Sequence, residues 1–350
     1  MLRANSFAIH LTYTCPLTCK HCCFSSSPTV KDRLSPDQIL ALIQSLEGRG
    51  IDLLAFTGGE PFLFGQRLVD FVREGKKYAN AVRVVTSAYW ANSDEAAQRK
   101  IVPLAAAGLD QISISWDDYH EEFVDFQNVK RAFACAKQHG IQPAIAMVQS
   151  PRSRWTAARV KSELDGLASS RDIVVESTLN YTGRAERELQ GSGVKASQHL
   201  GPCPYVLTGP TASAKGKLLA CCGVIPETPD LVLSESLEPK RVWSAVDEAL
   251  NSPLLRWIHL RGPYAVMEYI SNKYGIAIPP PNKVGGNCEA CKLLFTTESI
   301  RSKIPEAVSE MEHKISGEVS TLEALGLLDG MSHLPLWQDS MISMEEKGNA

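Results

Sequence analysis

Residues 7–22 read FAIHLTYTCPLTCKHC. Phe7–Thr12 has the composition of a β-strand, and it runs straight into a loop of cysteines. Cys15, Cys19 and Cys22 fall within eight residues and supply three thiolates. A [4Fe–4S] cluster usually takes four cysteines, so this loop leaves one iron open to an outside ligand. A zinc site or three buried thiols are the alternatives. Zinc sites usually pair two cysteines with a second, distant pair, which this spacing fits poorly.

Outward from that loop the sequence alternates. Ser35-Pro36-Asp37-Gln38 opens a helix, with Ser35 as N-cap, Pro36 at the first helical position and Gln38 closing a capping box. Leu53–Phe56 is a short strand that ends in Thr57-Gly58-Gly59-Glu60-Pro61. The pattern then predicts helices over 68–78, from the cap Ser93 to 107 with a bend at Pro103, over 123–139 and over 159–168. Strands are predicted over 82–86, 111–115, 144–148 and 173–176. This rhythm implies an α/β fold, a parallel sheet with helices outside. Six units are fewer than a closed barrel has, so the reading is an open, partial (β/α)6 TIM-like barrel. Sites in such barrels lie at the C-terminal ends of the strands. The cysteine loop, the Gly-Gly-Glu loop and the Ser115–His120 loop all follow strands and should converge there.

The second half changes character. Gly183–Ser197 reads as a polar linker, and residues 200–295 are rich in Gly, Pro and Cys. Helical pieces over 241–274 are interrupted at Pro253 and Gly262-Pro263, and 297–328 reads as helix. The expected division is a barrel over 1–195, a small cysteine-rich domain over 196–296 and a helical extension over 297–350. Hydrophobic residues make up 44% of the chain and charged residues 21%, with a formal net charge of -3. That balance gives no electrostatic case for nucleic acid. No run of about 18 apolar residues points to a membrane. The N-terminus shows neither an apolar signal core nor a cleavage site, so the expected location is cytoplasmic. Ten cysteines in that compartment point to metal or redox chemistry rather than disulfides.

CxxxCxxC at Cys15, Cys19 and Cys22 after the first strand, with Gly58-Gly59-Glu60-Pro61 after the second, resembles the radical S-adenosylmethionine (SAM) superfamily. The resemblance covers the barrel half. It implies that SAM chelates the open iron and is cleaved to a 5′-deoxyadenosyl radical, with electrons from a carrier such as flavodoxin or ferredoxin. It also implies that Gly58, Gly59, Glu60 and Pro61 bind the SAM ammonium. His21 stands where the family often has an aromatic residue near the adenine. Ser115 is a candidate SAM contact, and Asn180 and Arg184 resemble SAM-contacting positions. Asp117, Tyr119 and His120 either reach the substrate or cap the next helix.

Cys203, Gly216, Cys221 and the later Cys288-Glu-Ala-Cys291 resemble the twitch domain, the shortened relative of the SPASM domain. There, four thiolates hold one auxiliary [4Fe–4S] cluster, and Gly216 would turn the hairpin that joins Cys203 to Cys221. That makes two [4Fe–4S] clusters in all. A structural zinc site with four cysteine ligands is the alternative. Cys23, Cys135 and Cys222 are left over, Cys135 as a packed residue of a helix. The run HCCFSSSP and the pair Cys221-Cys222 resemble the radical SAM epimerases that make D-residues in epipeptides. Epimerisation needs a hydrogen-atom donor on the second face, a role for the Cys222 thiol. The expected function is therefore L-to-D epimerisation in a ribosomally made peptide. No N-terminal peptide-recognition domain is expected, because the chain opens on the barrel. The alternatives are a twitch-type dehydrogenase or sugar epimerase acting on a small molecule, or a peptide cross-linking maturase. From a different class, a non-catalytic iron–sulfur or zinc scaffold would keep the cysteines without needing Gly58–Pro61.

Overall fold

The computed structural model describes residues 2–176, 181–189, 200–222 and 228–328. Six strands form a parallel sheet: β1 (Ser6–Thr12), β2 (Ile51–Gly58), β3 (Ala79–Thr86), β4 (Gln111–Ser115), β5 (Gln142–Val148) and β6 (Ile173–Glu176). They lie in chain order from β6 to β1. Helices α1 (Pro36–Gln44), α2 (Gln66–Gly75), α3 (Asp94–Ala106), α4 (Phe126–Gln138) and α5 (Ala157–Glu163) alternate with them, and α6 (Arg184–Glu188) follows β6. This is the partial (β/α)6 barrel that the rhythm predicts. Local chemistry sets the helix starts. Ser35 and Gln38 form a complete capping box, and Ser93 accepts from the Ala96 N–H. The fourth helix begins three residues later than predicted because Asp125 is its cap.

Beyond β1 the sheet continues. The hairpin of β7 (Thr211–Ala212) and β8 (Leu218–Leu219) joins it, with β7 parallel to β1 and β9 (Val232–Ser234) outside β8. Among the described residues β6 and β9 are the edges, so the sheet does not close. Gly216 turns the hairpin at φ +83°, a conformation that suits glycine.

The chain then forms α7 (Pro239–Ala249), α8 (Pro253–Arg261), α9 (Pro263–Tyr274), α10 (Asn287–Thr296), α11 (Glu298–Arg301) and α12 (Ile304–Ala324). The helices are separated at Pro253 and at Gly262-Pro263, as the sequence predicts, and each proline stands in the first turn of the helix it opens, where its missing N–H costs nothing. Helices α8 to α12 share a second apolar core around Trp257, Met267, Leu294 and Ile315. Helix α7 packs instead on the barrel core through Val242, Trp243 and Val246. Among the described residues no helix is long and apolar enough to cross a membrane.

The exits of β1 and β2 are pressed together. Thr12 pairs with Gly58 after a register shift on β1 between His10 and Thr12. The Gly59 N–H donates to the Thr12 carbonyl at 2.6 Å, and the Glu60 N–H to that of Thr14 at 3.0 Å. A Cβ on Gly58 would stand 2.3 Å from the Thr12 oxygen, and one on Gly59 2.2 Å from the Thr14 oxygen. Gly58 also has φ +118°. Gly58→Ala and Gly59→Ala should therefore each destabilise the chain by about 2 kcal/mol or more, since backbone must move. Gly216→Ala meets no atom within 4 Å and should cost only about 1 kcal/mol for its dihedral. Denaturant unfolding of the three variants checks the ranking.

Candidate active site

The cysteine loop folds back on itself before it reaches any ligand. The Tyr13 N–H donates to the Asp32 carbonyl at 2.8 Å, the Thr14 hydroxyl to Val30 at 2.7 Å and the Cys15 N–H to Ser27 at 3.1 Å. These bonds close residues 13–32 into an arch over the end of β1. Cys15, Cys19 and Cys22 line one cavity under it, together with Gly58, Gly59 and Ser115. No disulfide joins any of the ten cysteines. Burial pushes the Cys15 thiol up to about 12 and the Cys19 thiol higher still. The sulfur of Cys15 receives the Leu17 N–H at 3.5 Å, and that of Cys22 receives the Ser26 N–H at 3.3 Å. Unbridged thiols, two of them buried and two with backbone donors on their sulfurs, suit metal ligation, where the cation takes the proton's place. The donor set thus fits a three-thiolate cluster.

Glu60 does not face that cavity. It is fully buried, and its carboxylate accepts from the Thr86 hydroxyl at 2.8 Å, the Ser87 hydroxyl at 2.8 Å, the Ser87 N–H at 3.1 Å and the Phe62 N–H at 3.2 Å. Burial pushes its carboxyl above the usual range, and these bonds oppose that shift. Glu60 ties the exit of β2 to the exit of β3. Pro61 is buried beside it as the first residue of a short 3-10 turn. The two glycines do line the cavity, yet their close neighbours are the chain's own carbonyls at Thr12 and Thr14.

His21 and His120 line the cavity too, with Asp117 behind them. Asp117 is 1% exposed. Its Oδ1 lies 2.8 Å from His120 Nδ1, its Oδ2 lies 3.3 Å from His21 Nε2, and it accepts from the Tyr119 N–H at 3.0 Å. Burial works against the charged form, but the two imidazoles hold the carboxyl well below the usual carboxylate range. The Tyr119 ring stacks on His21 with centroids 4.7 Å apart. The arrangement is a buried carboxylate that orients two imidazoles toward one cavity.

Arg184 sits on the other side of the loop. Its guanidinium donates to the carbonyl of Cys19 at 2.8 Å and to that of Ser26 at 2.5 Å, and its N–H donates to the Cys22 carbonyl at 3.0 Å. Gly183 packs so tightly that a Cβ there would lie 2.2 Å from the Cys23 oxygen. The start of the predicted linker is therefore a buried clamp: Arg184 is 7% exposed, and the loop carbonyls it reaches need donors. Asn180, and the domain boundary at 195/196, lie outside the described residues.

The second thiol group gathers from three segments. Cys203 is held by α8, where its N–H reaches the His259 carbonyl at 3.2 Å and His259 Nδ1 lies 3.0 Å from its carbonyl. Cys221 follows β8, and Cys288 and Cys291 occupy the first turns of α10, three residues apart on one face. Burial, with the thiols of Cys203, Cys221 and Cys288 beside it, pushes Cys291 well above its ordinary value. A hydrogen bond to Cys221 and then burial do the same to Cys222. Cys23 lines the first cavity, and burial, then the thiols of Cys22 and Cys288, push it upward. Cys23 and Cys288 are thus close enough to act on each other electrostatically.

Thr86 and Ser87 were missed by sequence reasoning, though both stand at the end of β3 and line the cavity. The rule that drew attention to Ser115, a polar residue at a strand's C-terminal end, applies equally to them.

Residues 9–149 match the sequence model of the radical SAM superfamily. The chain carries a radical SAM domain. This implies SAM and a [4Fe–4S] cluster as cofactors, the groups that the cavity thiols fit. A putative peptide biosynthesis protein, YydG of Bacillus subtilis (strain 168), is 29% identical over 136 residues, 39% of this chain and 43% of the relative. A GTP 3′,8-cyclase of Chlorobaculum tepidum is 29% identical over 114 residues, 33% of each chain. The matches thus span less than half of these curated relatives. Among solved structures, BtrN in complex with AdoMet and 2-DOIA aligns over 73% of this chain and 87% of its own, at 13% identity and a TM-score of 0.45.

Arg184 generates a test of how the radical SAM domain holds its loop. Arg184→Met keeps the stem but leaves two loop carbonyls without their guanidinium donors. It should cost about 1–3 kcal/mol per carbonyl in denaturant unfolding and lower the iron retained after anaerobic reconstitution.

Proposed function

We propose that this chain is a radical SAM epimerase that inverts a carbon centre in a residue of a ribosomally made peptide, L to D. The observation that carries the reading is the pair of adjoining thiol groups. Three cysteines line the cavity at the strand ends, and a fourth-to-seventh set with the extra thiol of Cys222 adjoins it. The kinship with a putative peptide biosynthesis protein supports a peptide substrate.

In this reading Cys15, Cys19 and Cys22 hold the first cluster, with Gly58, Gly59, Ser115 and His21 around SAM. Cys203, Cys221, Cys288 and Cys291 hold an auxiliary [4Fe–4S] cluster. Residues 1–195 are the catalytic barrel, 196–296 the auxiliary-cluster domain and 297–350 a helical extension. With one electron from a flavodoxin- or ferredoxin-type carrier, a cluster held by Cys15, Cys19 and Cys22 together with SAM would supply the radical chemistry that removes one hydrogen atom from the substrate carbon. Cys222 returns a hydrogen atom to the opposite face: its S–H bond breaks as the new C–H bond forms. One electron from a flavodoxin- or ferredoxin-type carrier and one proton from solvent restore the thiol. His120, oriented by Asp117, and Tyr119 border the substrate space.

One observation favours a second reading, a dehydrogenase of a small-molecule alcohol. The buried Asp117 and the His120 imidazole at 2.8 Å form a carboxylate–imidazole pair on the cavity, and oxidation of a hydroxyl needs a base for its proton.

Anaerobic reconstitution should give about eight irons per chain. Cys288→Ala with Cys291→Ala should remove about half of that iron. Tightly bound zinc with iron for one cluster would overturn the auxiliary assignment. Cys15→Ala, Cys19→Ala and Cys22→Ala should each abolish conversion of SAM to 5′-deoxyadenosine; cleavage retained in all three would locate the cluster elsewhere.

Turnover in D₂O should place one deuterium at the inverted carbon, because a thiol exchanges with solvent. Cys222→Ala should still form 5′-deoxyadenosine but give little inverted product, while Cys135→Ala behaves as wild type. Inversion by Cys222→Ala at the wild-type rate would sink the donor assignment. A product oxidised by two electrons would favour the dehydrogenase.

A further inference from the structure

Cys203 stands in an irregular segment, with no helix or strand of its own to place it. The end of α8 does so instead. The last four carbonyls of a helix lack partners within it. The Cys203 N–H reaches two of them, Ile258 at 3.3 Å and His259 at 3.2 Å. The bond is returned, since His259 Nδ1 lies 3.0 Å from the Cys203 carbonyl. A carbonyl only accepts, so Nδ1 carries the hydrogen. His259 thus grips both backbone polar groups of Cys203, one with its own carbonyl and one with its buried ring. Gly262 lets the two segments come this close: a Cβ there would stand 2.0 Å from the Gly201 oxygen. Two further bonds carry the grip to the other thiols. Asn287, the first residue of α10 and the neighbour of Cys288, donates Nδ2–H to the Pro202 carbonyl at 3.2 Å. The Leu207 N–H donates to Ala220, the residue before Cys221, at 3.2 Å. Cys203, Cys288 and Cys291 pack on the same apolar core. Four unbridged thiols gathered by these bonds fit a four-thiolate cluster.

We propose that His259 is a positioning residue for the auxiliary cluster: by holding Cys203 at both its N–H and its carbonyl, it sets where that thiol stands relative to Cys288 and Cys291. The proposal rests on the reading of Cys203, Cys221, Cys288 and Cys291 as cluster ligands. Cys288 and Cys291 are placed by their own helix, whereas Cys203 takes its place from the bonds its neighbours make. A packed helix end moves little, so it can hold an irregular segment to the tolerance that metal ligation needs. Groups that orient a metal ligand from behind are typically worth about 10–100-fold in metal affinity.

Two variants of the full chain, reconstituted beside the wild type, test this. His259→Leu fills the space without an N–H. His259→Asn returns an amide N–H at the level of Nδ1 and nothing at Nε2. The wild type should carry about eight irons. In His259→Leu, EDTA should strip about half of the iron at least about tenfold faster than from the wild type. The cluster that remains should still change its electron paramagnetic resonance spectrum when SAM is added to the reduced protein. His259→Asn should release iron close to the wild-type rate. Iron loss from His259→Leu at the wild-type rate overturns the proposal. So does His259→Asn losing iron as fast as His259→Leu. Loss of both clusters from His259→Leu also overturns it, since His259 would then support the fold as a whole. A wild type that holds about four irons, or zinc in place of the second cluster, would instead remove the auxiliary-cluster reading on which the proposal stands.

Discussion

The Thr12 and Thr14 carbonyls press so closely on Gly58 and Gly59 that only hydrogen atoms fit between them. This contact fixes the exit of β2 against the exit of β1. Glu60 follows at once and spends its carboxylate on Thr86 and Ser87 at the end of β3. The Thr86 hydroxyl then receives the Ala88 N–H and the Trp90 indole N–H. Three strand ends are joined by one short turn and one buried carboxylate. The cysteine arch grows from this junction, so its thiols inherit the junction's rigidity rather than the freedom of a surface loop.

An arch of about twenty residues presents many backbone carbonyls to a dry interior, and each needs a donor. The return limb supplies some through Asp32, Val30 and Ser27. Arg184 supplies others from 165 residues away in sequence. Arginine suits this task because one planar group with five donors can satisfy carbonyls from separate turns of the loop. The barrel's first loop is thus closed by the segment after its last strand.

The parallel sheet was legible because its signals are local. Caps at Ser35 and Ser93, apolar runs of strand length and the order strand–helix–strand need no knowledge of distant partners. The cysteine spacing was legible for the same reason. What stayed hidden depends on contacts across the chain. Gly58 and Gly59 look alike in sequence whether they admit a ligand or a neighbouring carbonyl. Glu60 gives no hint that it turns toward β3. Arg184 stands in a run as polar as any linker, and only the loop it grips makes it a buried residue.

Strand β1 has two neighbours, and each leads to one of the two thiol groups. On one side it pairs with β2, and their joint exit builds the arch of Cys15, Cys19 and Cys22. On the other it pairs with β7, whose hairpin leads to Cys221 and Cys222. His10, near the end of β1, is braced by Tyr13 and Phe24 of the arch. A reaction that removes a hydrogen atom on one face and returns one on the other needs two groups at a fixed separation. A sheet meets that need through register: sliding β7 by one residue along β1 would flip its side chains to the other face and move the segment after β8 with them. The relation between the two thiol groups is therefore set by strand pairing.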